Sequence, residues 1–93
     1  MPQIAVLYPE EERCIVNIPI KGLLIGRASF CDLQLKDEFV SERHCKVFFE
    51  NGDLFIEDLG STNGTFINGA EVQKSILELE QNIQIGVSVL KVQ

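Results

Sequence analysis

The dipeptide Asn51-Gly52 constrains this chain more than any other feature. A two-residue type I′ turn needs positive φ at both central residues, and Asn-Gly accepts that with little strain. It stands between two runs rich in apolar residues, Cys45–Glu50 (CKVFFE) and Asp53–Leu59 (DLFIEDL). So short a turn fixes the register of the flanking strands. Phe49 is set opposite Leu54, Phe48 opposite Phe55, Val47 opposite Ile56, and Lys46 opposite Glu57. One face then carries Val47, Phe49, Leu54 and Ile56, as a sheet with one buried side requires. The other face pairs two aromatics and two opposite charges, each pair favourable by roughly 0.2–1 kcal/mol. Glu50 opposite Asp53 works against this register, but both lie beside the exposed turn.

The rest of the chain is punctuated in the same way. Gln3–Tyr8, Arg13–Ile18, Gly22–Gly26 and Asp32–Leu35 read as short strands. Pro9, the solvated turn Glu10–Glu12 and Pro19 separate the first three. Lys36–Arg43 reads as a loop. Thr65–Ile67 and Ala70–Val72 flank a second Asn-Gly turn, Asn68-Gly69. In the tail, Val72, Ile76 and Leu79 fit a helical spacing. Ile76–Leu79 and Ile83–Ile85, broken at Gln81-Asn82, fit strands instead, and Val87–Val92 alternates. Turn signals at such regular spacing favour strands, and with them a sandwich or barrel. No repeat, low-complexity segment or linker stands out, so residues 1–93 read as a single domain.

Composition removes several classes of function. The 93 residues carry a formal net charge of −6, with 14 acidic against 8 basic residues. A general nucleic-acid binder needs a basic face, which this balance does not suggest. No apolar run approaches the length of a membrane span. The start, MPQIAVLYPEEER, lacks the basic n-region and long apolar stretch of a secretory signal. Three cysteines, Cys14, Cys31 and Cys45, form an odd set with no C-x-x-C, which favours free thiols in a reducing cytoplasm. Cys14 and Cys45 sit in apolar runs and are expected to act as small hydrophobes. With a single His, neither a zinc site nor any other cofactor site is indicated.

Chemistry concentrates in three polar stretches, each at the end of an apolar strand. Gly26-Arg27 closes one, and a guanidinium fork there suits phosphate or carboxylate. Ser41-Glu42-Arg43-His44 brings a hydroxyl near an imidazole, as a hydrolase would need. No G-x-S-x-G elbow accompanies it, however, and His44 reads better as a buried hydrogen-bonding residue at a strand start. Gly60–Asn63 (GSTN) offers hydroxyls, backbone N–H groups and an amide, the inventory for holding a phosphate and a peptide backbone. It is not a P-loop, since no G-x-x-x-x-G-K-[ST] occurs. In an antiparallel sandwich the tips of these stretches converge at one end.

The order of the segments resembles the forkhead-associated (FHA) domain family, a group of phosphothreonine-peptide-binding modules. The pattern is Gly26-Arg27, then Ser41-x-x-His44, then Gly60-Ser61-Thr62-Asn63-Gly64-Thr65, then Asn68-Gly69, and it spans about Leu24–Val72. The resemblance implies an all-β fold, a two-sheet, mostly antiparallel sandwich of about eleven strands. It implies a non-catalytic module that binds a threonine-phosphorylated protein or peptide, with a Ser/Thr kinase upstream. By the resemblance, Arg27 and Ser41 would contact the phosphate, and Arg43 would assist. Thr62 would sit near the phosphothreonine, and Asn63 would bond the peptide backbone. Gly26, His44, Gly60 and Gly64 would support the site. Glu42 departs from the family, whose members often carry Arg or Asn there, and a carboxylate beside a phosphate is repulsive. A phosphate-independent structural or assembly domain on the same scaffold is the alternative reading.

Overall fold

A computed structural model describes residues 2–93. Eleven strands follow in order among the described residues: β1 (Gln3–Tyr8), β2 (Cys14–Asn17), β3 (Leu23–Gly26), β4 (Leu33–Gln34), β5 (Cys45–Glu50), β6 (Asp53–Asp58), β7 (Thr65–Ile67), β8 (Ala70–Glu71), β9 (Lys74–Ile76), β10 (Asn82–Ile85) and β11 (Ser88–Val92). They form a six-stranded sheet, β2-β1-β11-β10-β7-β8, and a five-stranded sheet, β4-β3-β5-β6-β9. Every pairing is antiparallel except β3 with β4. This is the all-β sandwich expected from the turn spacing, and the tail is strand rather than helix.

The alternation of side chains builds the core. Ile4 and Val6 of β1, Ile83 and Ile85 of β10, and Leu90 and Val92 of β11 face inward from the larger sheet. Leu23 and Ile25 of β3, Cys45 and Val47 of β5, and Leu54 and Ile56 of β6 meet them from the smaller. Burying an Ile or Leu side chain contributes about 1.5–3 kcal/mol, so these two layers fix which face of each strand turns inward. The loop carrying Leu35 and Val40 folds back onto this core, both side chains being buried.

The β5–β6 hairpin has the expected register, from Cys45 opposite Asp58 to Glu50 opposite Asp53. Asn51 and Gly52 both take positive φ, 53° and 84°. Phe48 and Phe55 stack with ring centroids 6.0 Å apart. The opposite-charge pair does not form an ion pair. Lys46 instead places its ammonium 4.9 Å from the Phe48 ring centroid. An exposed ion pair is worth so little that a nearby ring face competes with it. Lys74 lies near both rings and bonds Glu50 at 3.3 Å.

Two further expectations fail locally. Cys14 is exposed, not a core residue, because β2 is an edge strand and only its Val16 packs on the core. Cys45 is fully buried as expected, and its thiol is pushed well up from the ordinary value by that burial. In the tail, the strand expected over Ile76–Leu79 lies earlier, β9 running Lys74–Ile76, and Leu77 just beyond its end is buried. The break before β10 falls at Glu80, with φ of 74°, one residue ahead of the expected Gln81-Asn82.

Candidate functional site

Arg27 and Ser41 are brought together by the backbone. Beyond β3 the chain keeps pairing with the segment that enters β5. His44 N–H donates to the Ile25 carbonyl (3.0 Å), Arg27 N–H to the Ser41 carbonyl (3.0 Å) and Ala28 N–H to the Glu42 carbonyl (3.3 Å). The two segments lie so close at Gly26 that a methyl group there would overlap the Glu42 carbonyl oxygen and press on Cys31 Sγ. Glycine is therefore required at position 26 by space, not by backbone angle.

The Arg27 guanidinium is oriented by its own chain. Nε donates to the Val40 carbonyl at 2.9 Å. Among the described residues neither terminal nitrogen has a protein partner, so four N–H donors, two on each terminal nitrogen, remain for a ligand. The Ser41 hydroxyl oxygen accepts from Thr62 N–H at 3.1 Å. That bond occupies a lone pair and leaves the hydroxyl proton free to donate.

His44 ties the two loops of the site together. It is fully buried. Nδ1 accepts from Ser41 N–H at 3.1 Å, and Nε2 lies 2.8 Å from the Gly64 carbonyl. An N–H faces one ring nitrogen and a carbonyl faces the other, so the proton sits on Nε2. With both nitrogens taken by backbone, neither serves the Ser41 hydroxyl as a base. The hydrolase arrangement of Ser41 and His44 is absent.

The Gly60–Gly64 loop hangs on Asp58, a residue that the sequence reading passed over. Its carboxylate accepts from Gly60 N–H and Ser61 N–H, both at 3.0 Å, from the Ser61 hydroxyl, and from the Thr65 hydroxyl at 2.7 Å. Ser61 Oγ in turn accepts from Gly64 N–H at 3.0 Å. Gly60 and Gly64 take φ of 78° and 90°, which allows the loop to turn so tightly. Burial alone would raise the Asp58 pKa, but the Ser61 and Thr65 hydroxyls and the two backbone N–H groups overcome it and hold the carboxyl below its usual range. The sequence signal was Asp two residues before Gly-Ser, the spacing of an Asx-type turn.

Asp37 does the same for the other loop. It accepts from Phe39 N–H (2.9 Å), and also from Val87 N–H (2.8 Å) and the Ser88 hydroxyl (2.9 Å) of the opposite sheet. Its pKa too is lowered, because these bonds outweigh the penalty of burial. The loop so anchored carries Phe39, whose carbonyl accepts from Asn63 Nδ2 at 2.8 Å.

Arg27, Ser41, Thr62 and Asn63 thus line one cleft of about 330 Å³, together with Glu38, Phe39, Val40 and Glu42. Arg43 is not among them. The chain bends at Glu42 and Arg43, and the Arg43 guanidinium lies 5.6 Å from the Phe30 ring centroid. It borders a separate depression with Leu24, Lys46 and Leu59 on the outer face of the smaller sheet. The bend puts consecutive side chains on different surfaces, so Glu42 takes the cleft and Arg43 leaves it. A larger hollow of about 530 Å³ holds none of the expected site residues and is lined mainly by apolar side chains such as Phe49, Leu54, Leu77 and Leu79.

Comparison with known proteins agrees with this geometry. The profile of the FHA domain matches residues 23–86. FHA domain-containing protein FhaB of Mycobacterium tuberculosis is 33% identical over 77 residues, covering 82% of this chain and 50% of FhaB. The glycogen accumulation regulator GarA of Mycolicibacterium smegmatis is 38% identical over 61 residues, covering 66% of this chain and 39% of GarA. The chain spans about half the length, or less, of these curated relatives. Among solved structures, the FhaA FHA domain complexed with the intracellular domain of Rv3910 superposes with a TM-score of 0.91 at 27% identity, covering all of both chains. A structure from a study of phosphothreonine-dependent FHA domain interactions superposes with a TM-score of 0.85 at 27% identity, covering 99% of this chain and 94% of the other. The sandwich, the ordered motifs from Gly26 to Gly69 and these matches together make the chain a member of the FHA domain family.

Proposed function

We propose that this domain is a non-catalytic module that binds proteins through a phosphorylated threonine. The observation that carries the reading is the arrangement in one cleft of the two terminal guanidinium nitrogens of Arg27, the Ser41 hydroxyl proton and the exposed Thr62–Asn63 tip. Arg27 and Ser41 supply the phosphate donors. Thr62 lies beside the phosphothreonine, and Asn63 bonds the peptide backbone through its amide oxygen, its Nδ2 being held by Phe39. Gly26, His44, Gly60 and Gly64 hold the loops in place. A Ser/Thr kinase supplies the phosphate, in a cytoplasmic setting that suits three free thiols.

Each charge-assisted hydrogen bond is worth roughly 1.5–3 kcal/mol. Arg27→Ala therefore weakens phosphopeptide binding by about ten- to a hundredfold and leaves folding largely intact, since Arg27 is exposed. Titration with a phosphothreonine peptide library and its unphosphorylated counterpart tests the reading, and equal binding of both overturns it. Binding should also strengthen as pH rises through about 6, where the phosphate loses its second proton. The second reading, a phosphate-independent assembly domain, is favoured by one observation, the two glutamates that line the cleft. It wins if partner binding survives Arg27→Ala and free phosphate does not compete.

A further inference from the structure

The cleft is poorly supplied with positive charge for an anion site. Of the chain's Lys and Arg residues, only Arg27 lines it among the described residues, and two carboxylates, Glu38 and Glu42, line it as well. Arg43, the neighbouring cation, is turned away onto Phe30. Both glutamates are exposed, and no ion pair to either is formed among the described residues. Their backbones are fixed all the same. Glu42 offers its carbonyl to Ala28 N–H and Cys31 Sγ, and Glu38 stands between Asp37, anchored to the opposite sheet, and Phe39, held by Asn63.

A phosphothreonine brings about −1.5 to −2 charge into this space. One guanidinium cannot balance that charge and two carboxylates as well, and among the described residues no other Lys or Arg lines the cleft. Positive charge carried by the ligand would restore the balance. We infer that the domain selects phosphothreonine flanked by Lys or Arg, with Glu38 and Glu42 as the residues that set this preference. Neither glutamate touches the phosphate in this arrangement. Each pairs with a basic side chain of the peptide and repels an acidic one, which is how charge complementarity sorts partners. The inference rests on the phosphopeptide reading above and adds the class of sequence that is read.

The test uses the intact domain and four peptides of one length. Three carry phosphothreonine flanked by Lys, Ala or Glu, and the fourth is the unphosphorylated Lys peptide. Fluorescence anisotropy should show the Lys-flanked phosphopeptide binding about tenfold more tightly than the Glu-flanked one at low salt, with the ratio shrinking as salt screens the exposed charges. In a Glu38→Gln/Glu42→Gln double variant, checked for an unchanged thermal melt, the ratio should fall toward one while the Ala-flanked phosphopeptide binds as well or better. Equal binding of the Lys- and Glu-flanked phosphopeptides overturns the inference alone, as does a ratio that survives the double variant. Equal binding of the phosphorylated and unphosphorylated Lys peptides overturns the phosphopeptide reading and the inference with it.

Discussion

At the Asn51-Gly52 turn the chain reverses in the open, and a Cβ on Gly52 would meet nothing within 4 Å. Seven residues on, β6 ends at Asp58, and the loop that follows, again made of Gly, Ser, Thr and Asn, is tied at almost every residue. Asp58 holds Gly60 and Ser61, Ser61 holds Gly64, Ser41 holds Thr62, Phe39 holds Asn63, and His44 takes the Gly64 carbonyl. The two regions share residue types and differ in tethering. A turn needs only backbone angles and can be read from a dipeptide. A binding loop has to be held against remote residues, here Phe39, Ser41 and His44 of the β4–β5 connection and Asp58 at the end of β6. Composition marks both as turns, and only the cross-loop bonds mark one as a site.

Three perturbations would break or sharpen this contrast. The largest effect is expected at Asp58. Asp58→Ala removes the acceptor for two backbone N–H groups and two hydroxyls, one of them the fully buried Thr65. Unsatisfied buried donors cost about 1–3 kcal/mol each. The variant should lose several kcal/mol in urea denaturation and most of its phosphopeptide affinity, while Asp58→Asn, which keeps an acceptor oxygen, should lose less of both.

Acid should act on the tethers before it acts on the turn. Asp37 and Asp58 both have folded-state pKa values below their ordinary carboxyl range. A depressed carboxyl contributes stability above its unfolded pKa and loses it as pH falls through the folded value. Denaturation midpoints should therefore hold steady near neutrality and decline once pH drops below about 4. Replacing both residues with Asn should flatten that decline. An unchanged acid slope would show that the two carboxylates are not what acid attacks first.

The smallest effect is expected at the open turn. Asn51→Ala forces an ordinary L residue into φ of 53°, at a cost of about 1 kcal/mol. Stability should drop by that amount, and phosphopeptide affinity should not change. A matching loss of affinity would mean that the hairpin and the cleft are coupled, and the contrast between the two regions would fail.

The same contrast explains what could be read without a structure. The β5–β6 register, both Asn-Gly turns and the strand character of the tail follow from local rules of period two and turn chemistry, and all are present. Arg27, Ser41, Thr62 and Asn63 were legible as an ordered pattern, and they do share a cleft. Arg43 does not line that cleft, because the bend at Glu42–Arg43 interrupts strand alternation, and no local rule foretells it. Asp37 and Asp58 look in sequence like surface acids among fourteen acidic residues. Their importance lies in bonds to residues as far away as Ser88, which is fifty-one positions beyond Asp37.

The imidazole of His44 spans the site with both nitrogens engaged before any ligand arrives. Because the loops are already joined through it, capture of a partner need not freeze them, and the ordering entropy that flexible loops lose on binding was spent in folding. Affinity in such a site is limited by the partner's own freedom: an extended, disordered phosphorylated segment bears nearly the whole ordering cost, and a partner that already holds its threonine in an extended conformation gains most.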